Sequence, residues 1–274
     1  KPDFNPNSFV SGISSKEYNL LRDSADRPLF DRSIRGHYPP ASTLKPFVAL
    51  AGLESGLIKS NSKTFCPGWY KLPGHDHRYR CWKTHGHGIV DLKQSLAQSC
   101  DVYFYDLANS MGINQLHGFL DHFGFGHLTG IDVPSESSGL SPSREWKIKA
   151  KNQVWYPGET LISGIGQGFN QTTPVQLAQA TAILAMRGVH VKPQVARAIR
   201  DYNTNELTLL SSETAESLPV INKKNWESVI DSMVEVTTGA RGTARLLGKT
   251  LPFNVAGKTG TAQVFGIKQN QKYD

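Results

Sequence analysis

The chain has 274 residues, 38% hydrophobic and 19% charged, a balance that excludes a disordered or fibrous protein and fits one large globular domain spanning residues 1–274, or two intimately packed subdomains within it. No apolar run approaches the ~18 residues that cross a bilayer, and Lys1-Pro2-Asp3-Phe4 is not a signal peptide, so a membrane anchor is expected outside these residues or not at all. The net charge of +7 and an isoelectric point near 9.3 suit an acidic substrate, an anionic membrane face or nucleic acid. The basic residues are scattered, with no basic helix and no aromatic RNA-binding signature, so nucleic acid is not expected as a partner.

Residues 1–41, rich in Pro, Asn, Ser and Gly, read as loops with short elements. From Ser42 the pattern turns helical, with Leu44, Phe47, Val48 and Ala51 at helical spacing and Gly56 as a stop. Residues 60–91 carry many aromatics, His and Gly without periodicity and read as an ordered loop. Residues 92–109 are helical with a break at Ser99-Cys100-Asp101, and Ile113, Leu116, Leu120 and Phe123 line a further helix ended by Gly124. Residues 130–160 read as a connection. Thr173-Pro174 is an N-cap followed by proline at the first helical position, opening a helix that Gly188 follows. Val195–Ile199 and Leu207–Leu210 are strand candidates, residues 225–237 a helix closed near Gly239, and Phe253–Phe265 a strand. The class is α/β or α+β and helix-rich.

Three short segments carry chemistry. Ser42-Thr43-Leu44-Lys45 opens a helix, so an amine lies one turn along from a hydroxyl, on the same face. A serine hydroxyl is a weak nucleophile until a base removes its proton. A lysine serves as that base only when burial or nearby cations lower its pKa. Ser99-Cys100-Asp101 supplies a second hydroxyl and a carboxylate at a helix break. Lys258-Thr259-Gly260-Thr261 sits within the last strand, where Gly260 lets a ligand approach the backbone. Each alone is weak. Together, in this order, they resemble the Ser-x-x-Lys, Ser-Asp-Asn and Lys-Thr-Gly set of class A β-lactamases and penicillin-binding proteins.

The chain resembles the class B penicillin-binding proteins, within them the elongation-specific transpeptidases of rod-shaped Gram-negative bacteria. The matching segments are Tyr38–Phe47, Pro67–Tyr70, Trp82–Gly88, Trp155–Thr160, Gly164–Gly168, Thr173–Gln176 and Lys258–Phe265, and they span nearly the whole length. The resemblance implies the penicillin-binding protein/β-lactamase-like serine transferase fold, a helical subdomain packed on an antiparallel sheet. It also implies that the family's opening strands, last strands and terminal helix lie outside residues 1–274, leaving the central sheet incomplete. By the same resemblance Ser42 attacks a D-alanyl-D-alanine stem peptide, with Lys45 as base and Ser99, Asp101 and Lys258 completing the catalytic set. Backbone N–H groups of Ser42 and Thr261 form the oxyanion hole, and Thr259, Gly260 and Thr261 hold the substrate carboxylate. The implied partners are peptidoglycan stem peptides, β-lactam antibiotics, a SEDS-family glycosyltransferase and elongation-complex scaffold proteins, at the periplasmic face of the inner membrane. The second motif ends in Asp101 where Asn is usual.

Other readings of the same fold remain open at this level. A class A β-lactamase needs a glutamate to activate the deacylating water, and Glu136, in Pro-Ser-Glu-Ser-Ser-Gly, is the nearest candidate by order. A D,D-carboxypeptidase, a β-lactam sensor and a non-enzymatic binding module complete the alternatives.

All three cysteines, Cys66, Cys81 and Cys100, fall within 35 residues, together with His75, His77, His85 and His87. Three thiolates and an imidazole form a closed tetrahedral set suited to structural Zn2+. The resemblance points to Cys66, Cys81, His87 and Cys100, with His77 or Asp76 as substitutes. The competing reading is a Cys66–Cys81 disulfide with Cys100 free.

Overall fold

The computed structural model describes residues 2–211, 217–218 and 222–263. Helices α1 (Ser15–Arg22) and α2 (Arg32–Arg35) lead to a 3-10 turn, Ala41–Leu44, that runs directly into α3 (Lys45–Glu54). Every residue of α3 from Lys45 to Leu53 is buried. A helix that is apolar all round must lie at the centre of the core, and α3 does. Phe47 meets Phe123 and Phe125 edge-on, with ring centroids 5.1 and 5.2 Å apart.

The segment read as an ordered loop, 60–91, contains two antiparallel ribbons. Strand β1 (Thr64–Cys66) pairs with β4 (Gly88–Val90), and between them β2 (Trp69–Lys71) pairs with β3 (Arg78–Arg80). With only three residues each, these strands are too short for alternation to register in the sequence. Next come α4 (Leu92–Ala97), α5 (Asp101–Met111) and α6 (Ile113–Asp121). The break between α4 and α5 falls where the motif placed it, with Ser99 at φ +54°. Helix α5 lies against α3 at close range, since a Cβ on Gly52 would sit 2.8 Å from the Leu107 side chain.

The stretch read as a connection, 130–160, holds α7 (Arg144–Lys151) and the start of α8 (Pro157–Ser163). Helix α7 buries only Lys147, so its apolar signal is faint; that lysine reaches Glu159 of α8 at 2.5 Å. Helix α9 (Pro174–Ala185) begins as expected, with Thr173 Oγ1 accepting from Gln176 N–H and Gln176 Oε1 from Thr173 N–H. Strands β5 (Ala198–Arg200) and β6 (Leu207–Leu209) pair antiparallel, α10 (Lys223–Thr238) packs on α3 and α4, and α11 (Arg245–Thr250) follows.

The fold is therefore α+β and helix-rich. Among the described residues the antiparallel component consists of three two-stranded ribbons. The expected strand Phe253–Phe265 is a correction: Phe253 to Gln263 pairs with no strand among the described residues, and Val264 and Phe265 lie outside them. A strand exists only with a ladder partner, and this segment is tied to helices instead. Gly257 N–H donates to Met233 O (3.1 Å), and Val255 O accepts from Thr237 Oγ1 (2.6 Å).

Candidate active site

The site is assembled from the 3-10 turn, the α4–α5 break and the 257–261 segment. The turn is held at both ends. Tyr38 exchanges backbone hydrogen bonds with Thr172 (2.9 and 2.8 Å), and Ala41 N–H donates to Gly166 O (2.8 Å). Ala41 sits at φ +50°, a conformation that strains any residue with a Cβ. Gly166 itself is at φ +71°, and a Cβ there would collide with the Ala41 backbone. The residue that follows this strained corner is Ser42. Its Oγ makes no hydrogen bond among the described residues, so the hydroxyl is free to turn.

Lys45 is wholly buried. Its Nζ donates to Asp101 Oδ1 (2.7 Å), Ser99 O (3.1 Å) and Ser99 Oγ (3.3 Å), and lies 5.4 Å from the Phe104 ring centre. A cation taken out of water requires such a set of partners. The left-handed turn at Ser99 is what presents both its carbonyl and its hydroxyl to one ammonium. Lys258 Nζ donates to the same Ser99 Oγ at 2.8 Å and to Thr259 O at 2.9 Å. Burial, reinforced by the charge of Lys45, lowers the Lys258 pKa to about 7. Ser99 Oγ thus bridges two amines. No hydrogen bond joins Lys45 to Ser42 Oγ in this arrangement.

The 258–261 segment passes directly over the turn. A Cβ on Gly260 would meet Thr43 Cγ2 at 2.8 Å and Pro40 O at 3.3 Å, so only glycine allows this approach. Thr259 Oγ1 lies 2.8 Å from Thr243 Oγ1, and Thr261 O accepts from Gln167 Nε2 (3.3 Å). The backbone N–H groups of Ser42 and Thr261 find no acceptor among the described residues.

Three contributors were not legible as site residues. Trp82 donates its backbone N–H to Asp101 Oδ2 (3.0 Å) and its indole N–H to Gln98 O and Ser99 O (3.0 Å each). It therefore fixes the motif segment from outside. Thr243 and Gln167 hold the flanks of the 258–261 segment. Trp82 and Gln167 both fall in stretches that carry the resemblance, but nothing in their spacing reveals the contacts. Glu136 is committed elsewhere: its carboxylate accepts from Thr129 N–H (2.8 Å), Thr129 Oγ1 (2.6 Å) and Gly130 N–H (3.0 Å).

Cys66, Cys81, His87 and Cys100 are all buried, and their ligand atoms lie within 4.8 Å of one another. The three cysteines are free thiols. Cys66 Sγ and Cys81 Sγ lie 3.6 and 3.5 Å from His87 Nδ1. A tetrahedron with metal–sulfur bonds of about 2.3 Å and metal–nitrogen bonds of about 2.05 Å has a sulfur–nitrogen edge of about 3.55 Å, which these distances match. Sharing the Cys100 thiol holds Cys66 and Cys81 down to about 4 and pushes Cys100 up. Cys100 is the N-cap of α5 yet makes no capping bond with its side chain, which leaves the sulfur for the cluster. His85 is exposed, His77 packs on Tyr79 (4.6 Å between ring centres) and Asp76 pairs with Lys71 (2.9 Å), so none of these joins it.

The Ser42–Lys45, Ser99–Asp101 and Lys258–Thr261 segments are thus brought into one site. A family model described as the penicillin-binding protein transpeptidase domain matches residues 1–274, and the chain belongs to that family. It is 44% identical over 273 residues to the peptidoglycan D,D-transpeptidase MrdA of Acinetobacter baumannii, covering 100% of this chain and 40% of that protein. The Pseudomonas aeruginosa PBP2 structure in complex with WCK 5153 superimposes with a TM-score of 0.87 at 49% identity, over 95% of this chain and 56% of that one. The complex between PBP2 and MreC from Helicobacter pylori gives 0.84 at 34% identity, over 95% and 46%. The chain spans less than half the length of the curated relatives it matches.

Asp101→Ala strips the buried Lys45 of its counter-charge and Trp82 N–H of its acceptor. Urea denaturation is expected to show a loss of about 3–5 kcal/mol; a loss under ~1 kcal/mol would mean that the pair does not hold the break.

Proposed function

We propose that this chain carries peptidoglycan D,D-transpeptidase activity, cross-linking stem peptides during cell elongation through an acyl-enzyme on Ser42. The observation that carries the reading is the single hydroxyl, Ser99 Oγ, bonded to both Lys45 and Lys258 beside a turn that Gly260 covers. Ser42 Oγ attacks the carbonyl carbon of the penultimate D-alanine, and its proton passes to Lys45 as Lys45 hands one on through Ser99 Oγ to the Lys258 amine, which accepts it when neutral. The N–H groups of Ser42 and Thr261, without an acceptor among the described residues, receive the oxyanion; a donor of this kind is worth about 10²–10³ in rate. The carbon–nitrogen bond breaks and the leaving D-alanine takes a proton delivered through Ser99 from the two amines. Thr259 and Thr261 hold its carboxylate next to Lys258. The amine of a second stem peptide then attacks the ester, forming the cross-link and returning a proton to Ser42.

β-Lactams present a similar carbonyl and carboxylate and are expected to acylate Ser42. The commitment of Glu136 to residues 129–130 leaves it unsuited to activating a deacylating water, which favours a long-lived adduct over β-lactamase turnover. Cross-linking of stem peptides calls for a working chain at the periplasmic face of the inner membrane. The relative solved as a PBP2–MreC complex supports an elongation-complex scaffold protein as partner, and the reaction calls for a glycan-polymerising partner of the SEDS family.

We further propose structural Zn2+ on Cys66, Cys81, His87 and Cys100, supported by the tetrahedral edge lengths and the free thiols. Bound there, the ion would supply rigidity rather than chemistry, since all four ligands are protein side chains. Cys100 lies between Ser99 and Asp101, so the same segment carries a ligand and two members of the catalytic set.

Mass spectrometry after penicillin treatment is expected to show one adduct on the peptide containing Ser42, absent in Ser42→Ala; an unmodified Ser42 in a folded chain would sink the reading. Because the proton relay needs one amine neutral, the acylation rate should rise with pH, with a midpoint near the depressed Lys258 value of about 7, and level off above it. Lys258→Arg, permanently charged, should abolish that rise, whereas a flat profile in the parent would remove Lys258 from the relay. Elemental analysis should find one zinc per chain, and a strong chelator should lower the melting temperature and slow acylation together; metal-free chain with an unchanged melting temperature would exclude the ion.

A further inference from the structure

At the end of α3 remote from Ser42, a cavity of about 250 Å³ lies between α3, α6 with the turn after it, and the first turn of α10. One wall is aromatic. Phe119, Phe123 and Trp226 stand in a row with ring centroids 5.6 and 5.9 Å apart, and the buried Ala51 adds to the apolar lining. Ser55, Gln115 and His122 line it too and are exposed, so the cavity opens to solvent on their side. Helix α3 runs from Lys45 to Glu54, a length of about 15 Å at the helical rise, which separates the cavity from the Ser42 site.

Two polar atoms of this lining are left without a hydrogen-bond partner. Trp226 is 2% exposed, and its indole Nε1–H is buried with no acceptor. Glu54 Oε2 is buried with no donor, while Oε1 accepts from Asn225 Nδ2 at 3.0 Å. No cation pairs with this carboxylate among the described residues. Buried polar groups are as a rule hydrogen-bonded, and leaving one unmade is costliest for a charged group. Aromatic walls around a small number of placed polar groups are the composition of a ligand pocket. The pair also specifies the ligand's chemistry: Glu54 requires a donor, best a positively charged one, and Trp226 requires an acceptor.

We propose that this cavity is a binding site for a small aromatic amine that also carries an oxygen acceptor. The ring lies against Phe119, Phe123 and Trp226, the ammonium donates to Glu54 Oε2, and the oxygen accepts from Trp226 Nε1–H. A cavity of roughly 150 Å³ already holds benzene, so the larger volume here leaves room for both polar arms. Helix α3 carries Lys45, and α10 holds the segment before Lys258 through Met233 O and Thr237 Oγ1. A ligand between these helices therefore bridges the two supports of the Ser42 site without entering it. The inference stands independently of the transpeptidase reading, since binding alone tests it.

Tyramine is the probe, compared with phenethylamine, which lacks the hydroxyl, and 4-ethylphenol, which lacks the amine. Their Kd values are measured by calorimetry on the whole chain. Tyramine, with about ten non-hydrogen atoms, should bind with a Kd on the order of 1 mM and raise the melting temperature. Phenethylamine should bind about threefold weaker and 4-ethylphenol about tenfold weaker, as the loss of a neutral and of a charge-assisted hydrogen bond requires. Glu54→Gln retains an oxygen for Asn225 and should erase the preference for tyramine over 4-ethylphenol. Trp226→Phe retains the ring and should erase the preference over phenethylamine. The melting temperature of each free variant checks that it folds; where one does not, the ranking of the three probes on the parent chain decides. Absence of saturable tyramine binding up to about 10 mM, equal Kd values for the three probes, or a folded Glu54→Gln chain that keeps the parent ranking would overturn the proposal.

Discussion

The arrangement hinges on one buried cation. Lys45 lies at the start of a helix with no exposed surface, and a charge in that position demands partners that the helix itself does not supply. Asp101 and the Ser99 carbonyl and hydroxyl meet that demand, and they do so only because the chain breaks between α4 and α5. A continuous helix would keep the Ser99 carbonyl in its own ladder. The left-handed Ser99 is therefore the conformational counterpart of the buried Lys45. Trp82 reinforces the break from the solvent side by bonding both Asp101 and the Ser99 carbonyl.

This interaction also gives a physical reason for Asp101 where asparagine is usual in the motif. An amide accepts a hydrogen bond from Lys45 as a carboxylate does, but it carries no charge to offset two neighbouring lysines. Here Lys45 and Lys258 share one hydroxyl, and burial, with the charge of Lys45, lowers the Lys258 pKa to about 7. An amine that titrates near neutrality beside a shared hydroxyl is suited to moving a proton rather than merely binding one.

The cysteine–histidine cluster extends the same logic outward. Its four residues come from the end of β1, from just after β3, from just before β4 and from the helix break, so one buried centre draws together segments separated by more than thirty positions. Cys100 sits between Ser99 and Asp101 while its sulfur points into the cluster. Rigidity of the loop 66–87 and rigidity of Ser99 and Asp101 are consequently one property.

How much of this was legible in the sequence depended on range. Local signals were reliable: the Thr173–Pro174 cap, the break at 99–101, the amine one turn after Ser42 and the membership in a transpeptidase family all rest on residues adjacent in the chain or on motifs in a fixed order. The ribbons within 60–91 were missed because three-residue strands have no measurable period, and α7 because it buries a lysine rather than an apolar stripe. The segment 253–263 has strand-like composition, but a strand is defined by its partner, and composition does not name one. By itself the sequence determined which residue types were available for acyl transfer and in what order. Only the tertiary structure decided that Lys45 turns to Asp101 and Ser99 and that Lys258 reaches the same hydroxyl. Those choices depend on burial and on contacts across long loops, which no local pattern encodes.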